Sequence, residues 1–421
     1  MMSSMSERSA DPLWHPFADM SAVAGHELVI ARGEGCWVWD DAGRRYLDGS
    51  SSLWYCNVGH GRPEIRAAID AQLGELEAFH VFGDFANRPA LALAERLASL
   101  APQAGSKVFL TSGGGDSIDT AVKLARLHHH AAGHPERRVV LHRTHGYHGT
   151  HGIGTSILGM PYRDEFGPLV EDTAELPHDS LDALADAIAR IGADRIAAFV
   201  FEPVIGSGGV HPPAPGYLEG VQALCREHGI ITIADIVITG FGRIGEWLAV
   251  ERFGIEPDLI AFAKGVTSGY LPLGGVIVAP GIAEPFWSGE AGFMHGQTYS
   301  GHPVCCAAAL ANLDLLAADG LVHRAREREG WFRAAFDGIA EHPLIGEVRG
   351  GIGFMAAIEL APDVLEARPD AAGELWRAAR EAGLMSRGLW TGIALAPPLT
   401  IDEDELGYAA DAVATALAAI S

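Results

Sequence analysis

Basic residues are scarce: 30 Lys and Arg stand against 54 Asp and Glu in 421 residues, a formal net charge of −24. That balance disfavours binding to nucleic acid, which draws on clustered Lys and Arg, and it suits an anionic membrane surface no better. Cysteine is sparse too. Cys36, Cys56, Cys225, Cys305 and Cys306 form no CxxC pair, and their odd number argues against a secreted disulfide framework. No apolar run approaches the roughly 20 residues of a membrane span. The polar stretch Met1–Asp11 lacks the apolar segment of a signal peptide, so a reducing, cytoplasmic location is expected. Internal repeats and low-complexity tracts are absent. So is any GxxxxGKS or GxxxxGKT phosphate loop.

What is present is apolar material, 48% of the chain against 20% charged, enough for a large core. Short apolar runs recur at Lys107–Thr111, Arg138–Leu141, Ile196–Phe201, Ile230–Ala234, Leu259–Ala263 and Gly275–Val278. Helix-like stretches such as Ser117–His130, Leu181–Ile191 and Tyr217–His228 lie between several of them. Strands buried on both faces and alternating with helices predict an α/β fold with a mostly parallel sheet. The ends differ. Residues 27–49 read as an antiparallel meander turning at Asp41-Ala42-Gly43. From Leu310 onward, helices at Leu310–Ala318, Glu329–His342 and Ala371–Ala382 are interrupted by strands at Gly353–Glu359 and Gly392–Ala396. The expected organisation is a large α/β domain over 61–315. A smaller α+β domain is built from both termini, 1–60 and 316–421.

Ligands of open parallel sheets bind outside the carboxyl ends of the strands, so the residue that ends each run carries the argument. Lys107–Thr111 runs into Ser112-Gly113-Gly114-Gly115-Asp116 and then a helix. The other ends are Glu202, Asp235 and Lys264. Glycines let a backbone approach a ligand closely, and the free N–H groups of a following helix favour an anion. A lysine entering a partly apolar pocket has its pKa lowered, which frees a nucleophilic amine for Schiff-base chemistry. A carboxylate after five apolar residues needs a cationic partner if it is buried, and a pyridinium N–H would serve. Glu202 reads either as a group that orients the site or as an acid lining the cavity.

These residues carry a resemblance. The chain resembles a class III, pyridoxal-phosphate-dependent aminotransferase of fold type I, and in particular the ω-aminotransferase branch. The resemblance covers nearly the whole chain and is strongest at Thr232–Gly245 (TIADIVITGFGRIG), Pro257–Gly275 (PDLIAFAKGVTSGYLPLGG) and His295–Ala309 (HGQTYSGHPVCCAAA). Gly146–Gly149, Glu202–Val210 and Leu53–Gly61 add to it. It implies a seven-stranded sheet in the large domain and pyridoxal 5'-phosphate as cofactor. Lys264 would bind that cofactor covalently and shuttle the proton, and Asp235 would bond the pyridine nitrogen. Tyr147 and Val237 would flank the ring. Gly114 and Gly115 would hold the phosphate, with Asp116, His148 and Glu202 alongside. Thr298 would reach the neighbouring subunit's phosphate, which implies a homodimer, with further assembly into a tetramer left open. Leu53, Trp54, Phe82, Tyr147 and Arg387 would line the substrate pocket. The implied reaction moves an amino group from an amine or ω-amino donor to an oxo acceptor in two half-reactions. Decarboxylation, racemisation or an internal amino shift on the same cofactor, or a non-catalytic binder, are the competing readings.

Two departures stand out. Asp235-Ile236-Val237 replaces the family's usual Asp-Glu-Val, and Ala394 occupies a position where some members carry a carboxylate-binding Arg, with Arg387 the nearby alternative. Both changes suggest a donor without an α-carboxylate. Gly115 stands where a Ser is common, so restoring the hydroxyl with Gly115→Ser is expected to tighten cofactor binding. His142, His145, His148 and His151 recur every third residue, but Gly146, Gly149 and Gly152 break the stretch and no metal is expected. His128–His130 read as a solvated helix end, and Cys305-Cys306 as core packing.

Overall fold

The computed structural model describes residues 12–421. Its centre is a seven-stranded sheet in the order Lys107–Thr111, Gly274–Val278, Leu259–Phe262, Ile231–Asp235, Ile196–Phe201, Val139–Arg143 and Thr173–Leu176. Gly274–Val278 runs antiparallel to both neighbours, and the other four pairings are parallel. Parallel neighbours need long crossovers, and the helix Tyr217–Glu227 supplies the one between Ile196–Phe201 and Ile231–Asp235.

The central strands Ile196–Phe201 and Leu259–Phe262 are apolar throughout because both of their faces are covered. Side chains alternate across a sheet, and here the alternation divides one strand between two cores. Ala198 and Val200 pack with Ile118, Val122 and Ala125 of the helix Gly114–Ala131. Their neighbours Phe199 and Phe201 join the core on the opposite face, with Leu313 and Leu316 of the helix Pro303–Ala318. The edge strand Thr173–Leu176 is only partly buried and has no apolar run, so its sequence carries no strand signal. The helix expected from Ser117 begins at Gly114, which places the glycines in its first turn. The helix expected over Glu329–His342 is instead the helix Glu329–Ala334 followed by a 3-10 turn at Asp337–Ile339.

The ends of the chain form two smaller sheets. Ile30–Glu34, Trp37–Asp40 and Arg45–Asp48 make the antiparallel meander, its turn holding Gly43 at φ +83°, and Leu384–Met385 adds in parallel beside Arg45–Asp48. Ile345–Gly350, Ala356–Leu360, Gly392–Leu395 and Arg387–Gly388 form an antiparallel sheet. Among the described residues no single helix is long and apolar enough to cross a membrane.

Arg243 joins these parts. Its Nη2 donates to Ser51 Oγ and Asn57 Oδ1 at 2.9 and 2.8 Å, and its Nη1 to the carbonyls of Phe354 and Pro397 at 3.3 and 2.5 Å. The side chain is wholly buried, and that burial pulls its pKa down to about 10. Arg243→Met leaves four buried acceptors short of a donor, and a loss of about 3–5 kcal/mol is expected. Chemical denaturation tests this: the transition moves to lower denaturant, whereas an unmoved transition contradicts it.

Candidate active site

The parallel strands bring their carboxyl ends to one edge of the sheet. Glu202, Asp235 and Lys264 stand there, each one or two residues past an apolar strand interior. Lys264 opens a 3-10 turn at φ +48°, a left-handed conformation that non-glycine residues seldom adopt and that gathers at functional sites. Its side chain is part-exposed in the cleft, but the amine sits deep. Burial lowers the Lys264 pKa to about 8 against the opposing pull of Asp235 and Glu202, and the Arg387 charge adds to the lowering.

Asp235 and His148 are both buried, and His148 Nδ1 lies 2.7 Å from Asp235 Oδ2. The other oxygen, Oδ1, accepts from Val237 N–H at 3.0 Å. His142 lies close enough to feel the charge of His148. Buried with neither ring nitrogen bonded, it is held neutral, its pKa pushed down to about 3 mainly by desolvation. Glu202 uses its carboxylate on two backbone groups, the N–H of Tyr147 at 3.0 Å and the N–H of Gly206 at 2.9 Å. Burial raises its pKa, and His148 and the two N–H groups oppose that rise. Arg143, buried beneath it, donates to the carbonyls of Glu202 and His178. The 144–151 loop is thereby pinned at Tyr147 and His148 from below.

The helix Gly114–Ala131 ends its N-terminus in the same crevice, where its first N–H groups have no turn before them to bond. A Cβ at Gly114 would press on Val237 at 3.1 and 3.2 Å. Gly149 sits at φ +87°, and a Cβ there would come within 2.9 Å of Gly115 Cα. The crevice therefore offers open backbone donors, an amine of lowered pKa and a buried carboxylate. That donor set fits a group carrying a phosphate, an aldehyde and a ring nitrogen.

Two departures can be placed in the structure. A Cβ at Gly115 would lie 3.2 Å from three atoms of the His151 ring, so a serine there needs that half-exposed ring to give by a few tenths of an ångström. Ile236 is wholly buried against Gly240, and Ala394 is wholly buried in its strand. Both side chains are packed in the interior of the single chain.

The remaining candidates are dispersed. Asp116 pairs with His151 at 3.4 Å. Arg387 lies near Lys264 and Tyr147, with no ion pair among the described residues. Trp54 is buried in the core, while Leu53, Phe82 and Thr298 are exposed on the surface of the single chain. The four histidines spaced by three do not converge. His142 and His148 are buried near Asp235, His151 meets Asp116, and His145 stacks on His211 and meets His178 edge to face. Two residues near the site escaped the sequence reading. Tyr162, half-buried and within electrostatic reach of Tyr147 and Arg387, sits in a 3-10 turn with no motif. His151 was weighed only as a metal ligand.

Residues 20–417 match the family model for class III aminotransferases. The chain belongs to this family. An omega-aminotransferase of Caulobacter vibrioides is 37% identical, the match covering 94% of each chain. A thermostable (S)-enantioselective omega-transaminase from Thermomicrobium roseum superposes with a TM-score of 0.95 at 39% identity, covering 99% of this chain and 98% of that one. An amine transaminase from an uncultivated Pseudomonas species, solved with pyridoxal phosphate bound, gives 0.93 at 36% identity over 98% of this chain and all of the other. This class III aminotransferase is thus an enzyme that transfers amino groups with pyridoxal phosphate as cofactor. Its relatives do not favour the decarboxylase, racemase, aminomutase and non-catalytic alternatives.

Only the neutral Lys264 amine is nucleophilic, and its share grows as pH rises through about 8. Capture of pyridoxal phosphate by the apoprotein, followed by its visible band, is expected to quicken as pH climbs toward 8 and to level above it. A rate still climbing steeply near pH 10 would place the amine in ordinary solvent.

Proposed function

We propose that this aminotransferase takes amino groups from amines and ω-amino compounds and passes them to a 2-oxo acid, with Lys264 and Asp235 as its catalytic residues. The observation that carries the reading is the buried pairing of Asp235 with His148 beside a lysine whose pKa is lowered to about 8. Bound here, pyridoxal phosphate supplies an aldehyde that condenses with amines and a ring that takes up the electron pair of a breaking C–H bond.

The chain's own residues do the rest. Lys264 Nζ would hold the cofactor until the donor displaces it, and would then take the proton from the donor's amine-bearing carbon and deliver it to the carbon that had been the cofactor's aldehyde. Asp235, anchored by His148 and Val237 N–H, keeps a carboxylate where a ring N–H needs it. Tyr147 and Val237 flank the ring, and Glu202 acts through the Tyr147 backbone that it holds. Gly114, Gly115 and the helix N-terminus take the phosphate, with Asp116 beside them. Arg387, near Lys264 and without an ion pair among the described residues, takes the carboxylate of the oxo acid. Leu53 and Phe82, exposed on the single chain, would form walls of the substrate pocket, with Trp54 packed in the core behind Leu53. The names of the relatives, an omega-aminotransferase, an omega-transaminase and an amine transaminase, support an amine donor.

The working unit in this reading is a homodimer with Thr298 reaching the neighbouring site. Phe82, Met294 and Tyr299 are exposed around Thr298 or on the segment packed against it, an apolar surface that a second copy would cover. The organisation into 1–60, 61–315 and 316–421 is supported by the pairing of Leu384–Met385 with Arg45–Asp48, which joins the two ends. Five buried, unpaired cysteines suit a reducing cytoplasm.

A donor panel tests the specificity: a primary amine lacking a carboxylate outpaces glutamate, and glutamate as the best donor overturns the reading. Arg387→Ala is expected to raise the KM for the oxo acid about tenfold or more, the scale of a lost charge-assisted bond, and the KM for the amine far less. Equal effects on both would remove Arg387 from the acceptor's site.

A further inference from the structure

We propose that His151 is a ligand of the cofactor's phosphate, occupying the place of the hydroxyl that Gly115 lacks, and that Gly115 is small because this ring needs its room. The proposal rests on placing the phosphate at the N-terminus of the helix Gly114–Ala131.

Three observations carry it. An ideal Cβ at Gly115 would lie 3.2 Å from Cγ, Cδ2 and Cε1 of His151. Near-equal distances to atoms around the ring mean that its flat face lies over the first turn of the helix. Second, the loop bearing His151 is pressed onto that turn by glycine: Gly149, at φ +87°, passes so close to Gly115 that a Cβ would sit 2.9 Å from its Cα. Beyond His151 the loop is tied down again, Ile153 N–H donating to Asp119 Oδ1 at 3.2 Å. Third, the ring is oriented by charge. His151 Nδ1 faces Asp116 Oδ1 at 3.4 Å, which leaves Nε2 with no partner among the described residues. The ring thus lies with Nδ1 toward the Asp116 carboxylate and Nε2 free to donate to a phosphate oxygen. A charge-assisted N–H of this kind replaces a serine hydroxyl with a stronger donor.

The same loop carries Tyr147 and His148, so one short segment would reach the cofactor's ring, its nitrogen through Asp235, and its phosphate. Asp116 becomes a positioning residue that acts through His151.

The test titrates the apoprotein with pyridoxal 5'-phosphate and separately with pyridoxal, which lacks the phosphate, reading tryptophan fluorescence. His151→Ala is expected to weaken pyridoxal phosphate binding about tenfold or more while leaving pyridoxal binding unchanged. Gly115→Ser alone weakens pyridoxal phosphate binding by displacing the ring. Added to His151→Ala, the same serine recovers affinity, because its hydroxyl then has room. His151 is half-exposed, so its removal does not threaten the fold. An unchanged affinity in His151→Ala, or equal weakening toward both ligands, overturns the proposal. A wild-type apoprotein that binds pyridoxal phosphate no better than pyridoxal overturns the placement of the phosphate itself, and the proposal with it.

Discussion

Burying the Asp235 carboxylate is the constraint on which the rest of the site depends. A lone carboxylate in an apolar interior is costly, and such groups persist only when paired and hydrogen-bonded. Asp235 ends a strand whose other residues are all buried, so it cannot turn to solvent. His148 at 2.7 Å and the Val237 N–H at 3.0 Å partly satisfy it. Lys264, on the adjacent strand end, stays close enough to feel its charge. The pairing of Ile231–Asp235 with Leu259–Phe262 sets that proximity, so the fold and the chemistry share one register.

Around this centre the protein places its backbone with unusual economy of side chains. Gly114, Gly115 and Gly149 are each close to another chain segment, and each would collide or crowd if it carried a Cβ. Their absence of side chains lets the 144–151 loop lie directly on the first turn of the helix. Glu202 reinforces that loop from below by accepting from Tyr147 N–H, while Arg143 holds the Glu202 and His178 carbonyls. The strained φ of +48° at Lys264 is held from behind by the buried Gly265 and Val266.

Much of this was legible in the sequence, for a physical reason. Strands buried on both faces must be apolar along their whole length, so Glu202, Asp235 and Lys264 stand out as charges at the ends of runs such as IAAFVF and LIAF. The strand Thr173–Leu176 was not legible, because an edge strand half in solvent needs no apolar run. Ile236 is next to Asp235 in sequence, but its packing against Gly240 in the core is set by tertiary contacts that no local pattern encodes. His151 was hidden for the same reason: its meaning lies in contact with Gly115, 36 positions earlier in the chain. Leu53, Phe82 and Thr298 are exposed on the single chain, and no local pattern in the sequence foretells that exposure.

The most direct measurement of the central claim is a single half-reaction. Holoenzyme is mixed with a primary amine and no oxo acceptor, and the visible band of bound pyridoxal phosphate is followed together with the carbonyl product. The expected result is loss of the band with one equivalent of product per site, abolished by Lys264→Ala. A band that persists in the wild type with every amine offered, or product formed equally well by Lys264→Ala, would contradict the assignment of the transfer to Lys264.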